Sequence, residues 1–219
     1  MLSQHYFDFF AGLERNNSKE WFDAHKAEYE RHVKVPFRDL VAALIEAVRE
    51  REPDLHIEPK DTLFRINRDI RFSKDKSPYK THMGAIISKY GRKSEGYPGF
   101  YIHAEATGGY VGGGVYMPDK ERLSIIREMI ADDPAAFRKL IGAKPFVKHF
   151  ESIKGERNKI VPAEFKEAAA AEPLVANKQF YYMAPVSPEI FMRKDAVKAL
   201  MAYYDAARPL REYLAQAFE

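Results

Sequence analysis

Cysteine is absent from this 219-residue chain. That one absence excludes disulfides, cysteine-ligated zinc, iron–sulfur clusters and thiol catalysis, and it fits a reducing compartment. Long apolar runs are missing too, since no stretch approaches the roughly 20 residues that cross a bilayer. Met1-Leu2-Ser3-Gln4-His5 lacks the basic-then-apolar pattern of a signal peptide. The expectation is a cytoplasmic protein without membrane contact, in which the glycosylation-like Asn16-Asn17-Ser18 carries no meaning. There is no His-Glu-x-x-His helix and no Gly-x-Ser-x-Gly elbow. Gly112-Gly113-Gly114 matches neither a dinucleotide fingerprint nor a phosphate loop, because no Gly-Lys-Ser/Thr follows. No internal repeat, low-complexity tract or linker interrupts the chain.

What is present reads as an ordinary globular protein, 46% hydrophobic and 31% charged. A chain of this length buries roughly 70% of its unfolded surface and needs no covalent staple. The first fifty residues read as helical. Tyr6, Phe7, Phe9, Phe10 and Leu13 cluster before Asn16-Asn17. Asn17 with Glu20 resembles a capping box, opening a helix that carries Trp21, Phe22 and Tyr29. Pro36 suits the first turn of a new helix, whose Phe37, Leu40, Val41, Leu44, Ile45 and Val48 follow helical spacing until Pro53.

The middle reads as β: Leu63–Arg68, Met83–Ser88, then Phe100–Ala106 and Tyr110–Tyr116 about a turn at Thr107-Gly108-Gly109. No helix-length pattern separates these strands, so antiparallel pairing is expected. The C-terminal third returns to helix at Asp119–Ala131, Asp133–Gly142, Glu164–Ala171, Pro188–Ala206 and Pro209–Phe218. One further strand is expected at Gln179–Ala184, and residues 144–162 read as irregular. The expected fold is α+β: one domain over 1–219, with helices 4–51, strands 62–116 and a C-terminal part 119–218. Helices pack on an antiparallel sheet of about five strands.

Charge is unevenly spread. Between Lys60 and Lys80, the cations Lys60, Arg65, Arg68, Arg71, Lys74, Lys76 and Lys80 face only Asp61, Asp69 and Asp75. That segment carries +4 of a chain total of +3, leaving about −1 elsewhere. Phe64, Ile66, Ile70, Phe72 and Tyr79 interleave with the charges, so the segment is expected to pack rather than float. Such density is costly to bury unless paired. Guanidinium forks match phosphate and carboxylate, which makes Arg65, Arg68, Asp69, Arg71, Lys76, Tyr79 and Lys80 the candidate ligand-binding residues. The competing reading has Asp69 and Asp75 absorbing these arginines to hold the fold.

A second candidate set lies on the strands. His103 and Glu105 are two apart, so they share a face, and His82 begins a neighbouring strand. Together they suit acid–base catalysis, or ligation of a divalent metal; the bland alternative is a hydrogen-bonded histidine on a half-exposed sheet. Trp21, Phe22 and Tyr29 read as core before they read as a base-stacking platform. Gly112–Gly114 reads as a close backbone approach, either to a ligand or beneath a bulky neighbour such as Trp21.

The run Arg65, Arg68-Asp69, Arg71-Phe72, Asp75-Lys76 and Tyr79 resembles the signature of a bacterial conserved-hypothetical family, domain of unknown function 2461. Asn16-Asn17 with Glu20-Trp21-Phe22, Tyr101 with His103 and Glu105, Gly112–Gly114 with Pro118, and Lys178-Gln179-Phe180 resemble it as well. The resemblance spans nearly the whole chain and implies no activity, cofactor or metal. Function is therefore ranked from residue chemistry: a binder of small anions first, with acid–base chemistry as an addition. A structural or interaction protein comes second and a single-stranded nucleic-acid binder third, the near-neutral remainder of the chain disfavouring a long duplex footprint.

Overall fold

Apolar residues three and four apart in the first fifty positions become helix, as their spacing dictates. The computed structural model describes residues 1–93 and 96–219. In chain order its elements are α1 (Gln4–Arg15), α2 (Lys19–Ala24), α3 (Lys26–Glu28), a π-helical stretch (Tyr29–Lys34), α4 (Val35–Arg49) and α5 (Pro59–Thr62). There follow β1 (His82–Ile87), β2 (Gly99–Glu105), β3 (Gly108–Val115), α6 (Lys120–Asp132), α7 (Pro134–Ile141) and α8 (Lys144–Phe150). The chain closes with α9 (Lys166–Ala171), β4 (Phe180–Val186), α10 (Pro188–Met192) and α11 (Ala196–Ala215). The strands form one antiparallel sheet in the order β1-β2-β3-β4, and the fold is α+β.

The sheet has four strands where about five were expected. The missing one is Leu63–Arg68. That stretch makes only isolated bridges, Leu63 to Ala85 and Asn67 to Tyr79. Two features stop a ladder from growing. Pro78 has no N–H to contribute. The Asn17 side chain takes both backbone groups of Tyr79, donating to its carbonyl at 2.9 Å and accepting its N–H at 3.1 Å. Asn17 therefore does not cap α2. Ser18 does, its hydroxyl accepting the Trp21 N–H at 3.2 Å.

Packing divides the chain into two compact units. The first comprises Met1–Arg92, Tyr101–Val111 and Pro185–Met201. Here α1 buries Tyr6, Phe7, Phe9, Phe10 and Leu13, and α4 buries its whole apolar stripe from Phe37 to Val48. Each large side chain so covered contributes about 1.5–3 kcal/mol. Tyr6 stacks near Phe37 and donates its hydroxyl to Ala104 O at 3.0 Å, tying α1 to β2. Pro36 lies in the first turn of α4, as expected. The chain runs from the π-helical stretch straight into α4. Proline cannot donate to the carbonyl four residues back and its ring crowds that carbonyl, so the wider π turn before it lets the helix continue. Phe22 and Tyr29 are core, as expected, and Trp21 lies against Gly12, where an added Cβ would meet the indole at 2.9 Å.

The second unit comprises Lys93–Phe100, Gly112–Ala184 and Ala202–Glu219. Its core gathers Val115, Ile126, Ile130, Phe137, Phe146, Phe150, Val175, Phe180, Tyr182, Leu210 and Leu214. Three expectations are corrected here. Residues 144–150 form helix α8, because Phe146 and Phe150 are one turn apart and both buried. Pro209 lies inside α11 rather than between two helices, with Leu210 and Leu214 of that helix buried in the core beyond it. Gly112 and Gly114 sit beneath β4, not beneath Trp21: a Cβ on either would stand 2.3 Å from the Tyr182 or Phe180 carbonyl oxygen. Buried Arg127 holds the turn before β4 by donating to Val175 O at 2.9 Å and Asn177 O at 3.0 Å.

Candidate functional site

The charged segment leaves β1 and returns to it. Phe64 N–H donates to Gly84 O at 3.0 Å, Lys80 N–H to Ile66 O at 2.8 Å and Arg68 N–H to Pro78 O at 2.9 Å. Between these closures the chain turns on its own charges. Asp69 accepts the Arg71 backbone N–H at 3.2 Å and the Arg71 guanidinium at 2.7 Å. Asp75 accepts the Ser77 N–H and hydroxyl at 2.9 and 2.6 Å and pairs with Arg68. The Ser77 donors, with Arg68 beside them, hold the Asp75 carboxyl well below the usual range, and Arg71 does the same for Asp69. Lys76 donates to Ile70 O at 2.9 Å. Tyr79 is buried with its ring stacked on Phe22 at 4.1 Å. Phe72 departs from the expectation that the aromatics pack, being 94% exposed at the tip of the turn.

The seven candidate binding residues therefore separate. Arg68, Asp69, Arg71 and Lys76 are engaged in shaping the loop, and Tyr79 fastens it. Arg65 and Lys80 are not so engaged. Both line a cavity of about 520 Å³ in the first unit, together with Tyr29, Lys34, Lys60, Leu63, Phe64, Ile66, Met83 and Arg92. Of the ten described residues that line it, five are cationic and none is acidic. Tyr29 adds no charge, since burial pushes its phenol up to about 12. Lys34 is paired with Glu30 at 2.8 Å. Arg92 is fixed by donating one nitrogen to Lys60 O at 2.8 Å and Leu63 O at 2.6 Å. Neither the Arg65 guanidinium nor the Lys80 ammonium has a hydrogen-bonding or ion-pair partner among the described residues. Burial, and then the charge of Arg65, pull the Lys80 ammonium below its ordinary pKa. Like charges crowded together in this way repel one another, which makes this cavity the candidate site.

Lys34 and Arg92 were not singled out from the sequence, and Lys60 was counted only among the cations of the charged segment. They come from three separate stretches of chain, and no local pattern links them. A further hollow of about 630 Å³ runs along α7 from Ala136 to Ala143. Its cations are Arg138 and Lys139, and Arg138 already pairs with Glu172 at 2.8 Å, so it lacks the convergence of the first.

The second candidate set does come together. Alternation along β2 sends Ile102 and Ala104 into the core and leaves Tyr101, His103 and Glu105 half-buried on the other face. His82 on β1 stacks on His103 with ring centroids 3.9 Å apart. His103 Nε2 lies 3.0 Å from Glu105 Oε2, and its Nδ1 lies 3.2 Å from the Tyr101 hydroxyl. Tyr101, whose link to His103 the residue pattern did not reveal, completes a phenol–imidazole–carboxylate chain. That chain suits proton transfer, with Glu105 fixing the imidazole tautomer. Burial, and then the Glu105 charge, raise the Tyr101 phenol, keeping it a neutral donor. Burial, then His103 and Lys80, push His82 down to about 3, so it stays uncharged. Stacked rings do not aim their nitrogens at one point, and no group of three or more His, Asp or Glu among the described residues is arranged to hold a metal ion.

No helix among the described residues is long and apolar enough to cross a membrane. Comparison with curated proteins and with solved structures gives no match. The family model described as "conserved hypothetical protein" (DUF2461) matches residues 5–213, nearly the whole chain. The Arg65–Tyr79 signature, the Asn17–Tyr79 clamp and the His103–Glu105 pair all lie within that match, and the chain belongs to the DUF2461 family.

Proposed function

We propose that this protein binds a small anionic ligand, bearing phosphate or carboxylate, in the cavity beneath the Arg65–Lys80 loop. One observation carries the reading: among the described residues, five cationic side chains and no carboxylate line a concavity of about 520 Å³, a size that suits a small molecule. Arg65 supplies the planar fork that grips such a group, while Lys80, Lys60, Lys34 and Arg92 supply charge. The loop from Arg68 to Lys76 has a supporting role, because its charges are spent on its own turns. The nearby Tyr101–His103–Glu105 chain supports acid–base chemistry on what is bound.

The test is thermal unfolding in a panel of phosphate, pyrophosphate, small di- and tricarboxylates, nucleotides and short oligonucleotides. A ligand at 100 times its Kd stabilises the native state by about 2.7 kcal/mol. At least one small anion is expected to raise the midpoint, and Arg65→Ala is expected to abolish the rise while the protein still folds. A rise that survives Arg65→Ala, or one produced only by oligonucleotides, overturns the assignment.

A further inference from the structure

Lys80 differs from the lysines that hold an oxygen acceptor. Lys34 and Lys76 each hold an oxygen acceptor, at 2.8 and 2.9 Å. Lys80 is half-buried, its backbone is pinned to Ile66, and its Nζ lies over the Phe64 ring, 5.5 Å from the centroid. No carboxylate or carbonyl of the described residues receives it. Arg65, a permanent cation, stands beside it on the cavity wall, and His82 follows it by two residues. An amine desolvated against an aromatic ring and next to a second cation is the arrangement that frees a lysine to act as a nucleophile.

We propose that Lys80 forms an imine with a small anionic aldehyde or ketone, whose phosphate or carboxylate is held by Arg65. The inference rests on the anion-binding reading and names the substrate class. The Nζ lone pair attacks the carbonyl carbon, forming the C–N bond and placing the carbonyl π electrons on oxygen. The carbinolamine nitrogen then gives up its protons, the oxygen leaves as water, and a C=N bond remains. The step is redox-neutral and releases one water. It requires the amine in its unprotonated form, and burial together with Arg65 already bias Lys80 that way. His82 stays neutral and within electrostatic reach of Lys80. The protons that leave the nitrogen pass through solvent to the departing oxygen.

The test is reductive trapping. The full-length protein is incubated with glyoxylate or with pyridoxal 5′-phosphate in the presence of cyanoborohydride, and the adduct is located by peptide mass mapping. The two probes distinguish a carboxylate-bearing substrate from a phosphate-bearing one. Lys80 is expected to label about tenfold or more faster than the other lysines, because its amine is partly desolvated and stands beside a second cation. Added inorganic phosphate is expected to slow that labelling, and Lys80→Arg to remove it while the remaining lysines label at the parent rate. Labelling spread evenly over the lysines, or unchanged by phosphate, overturns the imine assignment. Loss of the phosphate shift in the unmodified protein overturns the anion reading instead, so the two failures are separable.

Discussion

At the scale of single residues, the site is visible through strain rather than satisfaction. The Lys80 ammonium is disfavoured by burial and by repulsion from Arg65, and no carboxylate among the described residues pairs with it. Replacing it by Met removes that repulsion while keeping the aliphatic stem on Phe64. Lys80→Met is therefore expected to leave stability unchanged or to raise it by up to about 1 kcal/mol, since solvent screens part of the effect. Urea unfolding at neutral pH checks this, and a clear loss of stability would show that the ammonium supports the fold. His82 makes a second residue-scale prediction. Its folded pKa of about 3 lies below its ordinary 6.5, so the unfolded chain binds the proton more readily between those values. Stability is then complete above pH 6.5 and declines as the pH falls toward 3. Asp69 and Asp75, whose pKa values are lowered in the fold, add to the same acid loss. His82→Gln is expected to flatten the decline between pH 6.5 and 4.5 relative to the parent, as followed by unfolding midpoints. Parallel curves for the two proteins would contradict this.

At the scale of elements, what the sequence disclosed and what it hid have a common explanation. Helices whose cores lie on their own faces, such as α1 and α4, were legible because periodicity is local. So was the sharing of one face by His103 and Glu105. Features that depend on a distant partner were not. Asn17 and Ser18 are both good capping residues, and only Tyr79, 62 positions away, decides that Asn17 is used elsewhere. The stretch Leu63–Arg68 has strand composition, yet Pro78 and the Asn17 clamp leave it with isolated bridges. Helix α8 did carry a local signal, Phe146 and Phe150 at one-turn spacing, which its charged surroundings obscured. The clamp gives the element-scale prediction. Asn17→Ala strands the half-buried N–H and carbonyl of Tyr79 and is expected to destabilise the protein by about 1–3 kcal/mol. It is also expected to weaken anion binding, because Arg65 and Lys80 flank the two ends of the loop that the clamp holds. Hydrogen exchange localised to residues 66–80 is the readout, and an effect confined to α2 would restore Asn17 as its cap.

At the scale of the molecule, charge distribution separates the functional readings. Composition alone placed the excess positive charge between Lys60 and Lys80. It could not show that three of those seven cations, Arg68, Arg71 and Lys76, are consumed within the loop while Lys34 and Arg92 join from elsewhere. A basic stripe along a surface would suit a nucleic-acid strand; cations gathered around a concavity suit a compact ligand. Binding of a small anion is accordingly expected to weaken with added salt, but less steeply than for a protein that displaces counterions from six or more phosphates. The most direct measurement is diffraction from crystals equilibrated with tungstate, an electron-dense oxyanion that mimics phosphate. The account predicts an anomalous peak inside the cavity within hydrogen-bonding distance of the Arg65 guanidinium and the Lys80 ammonium. Peaks confined to other surfaces, with those two side chains turned to solvent, would contradict it.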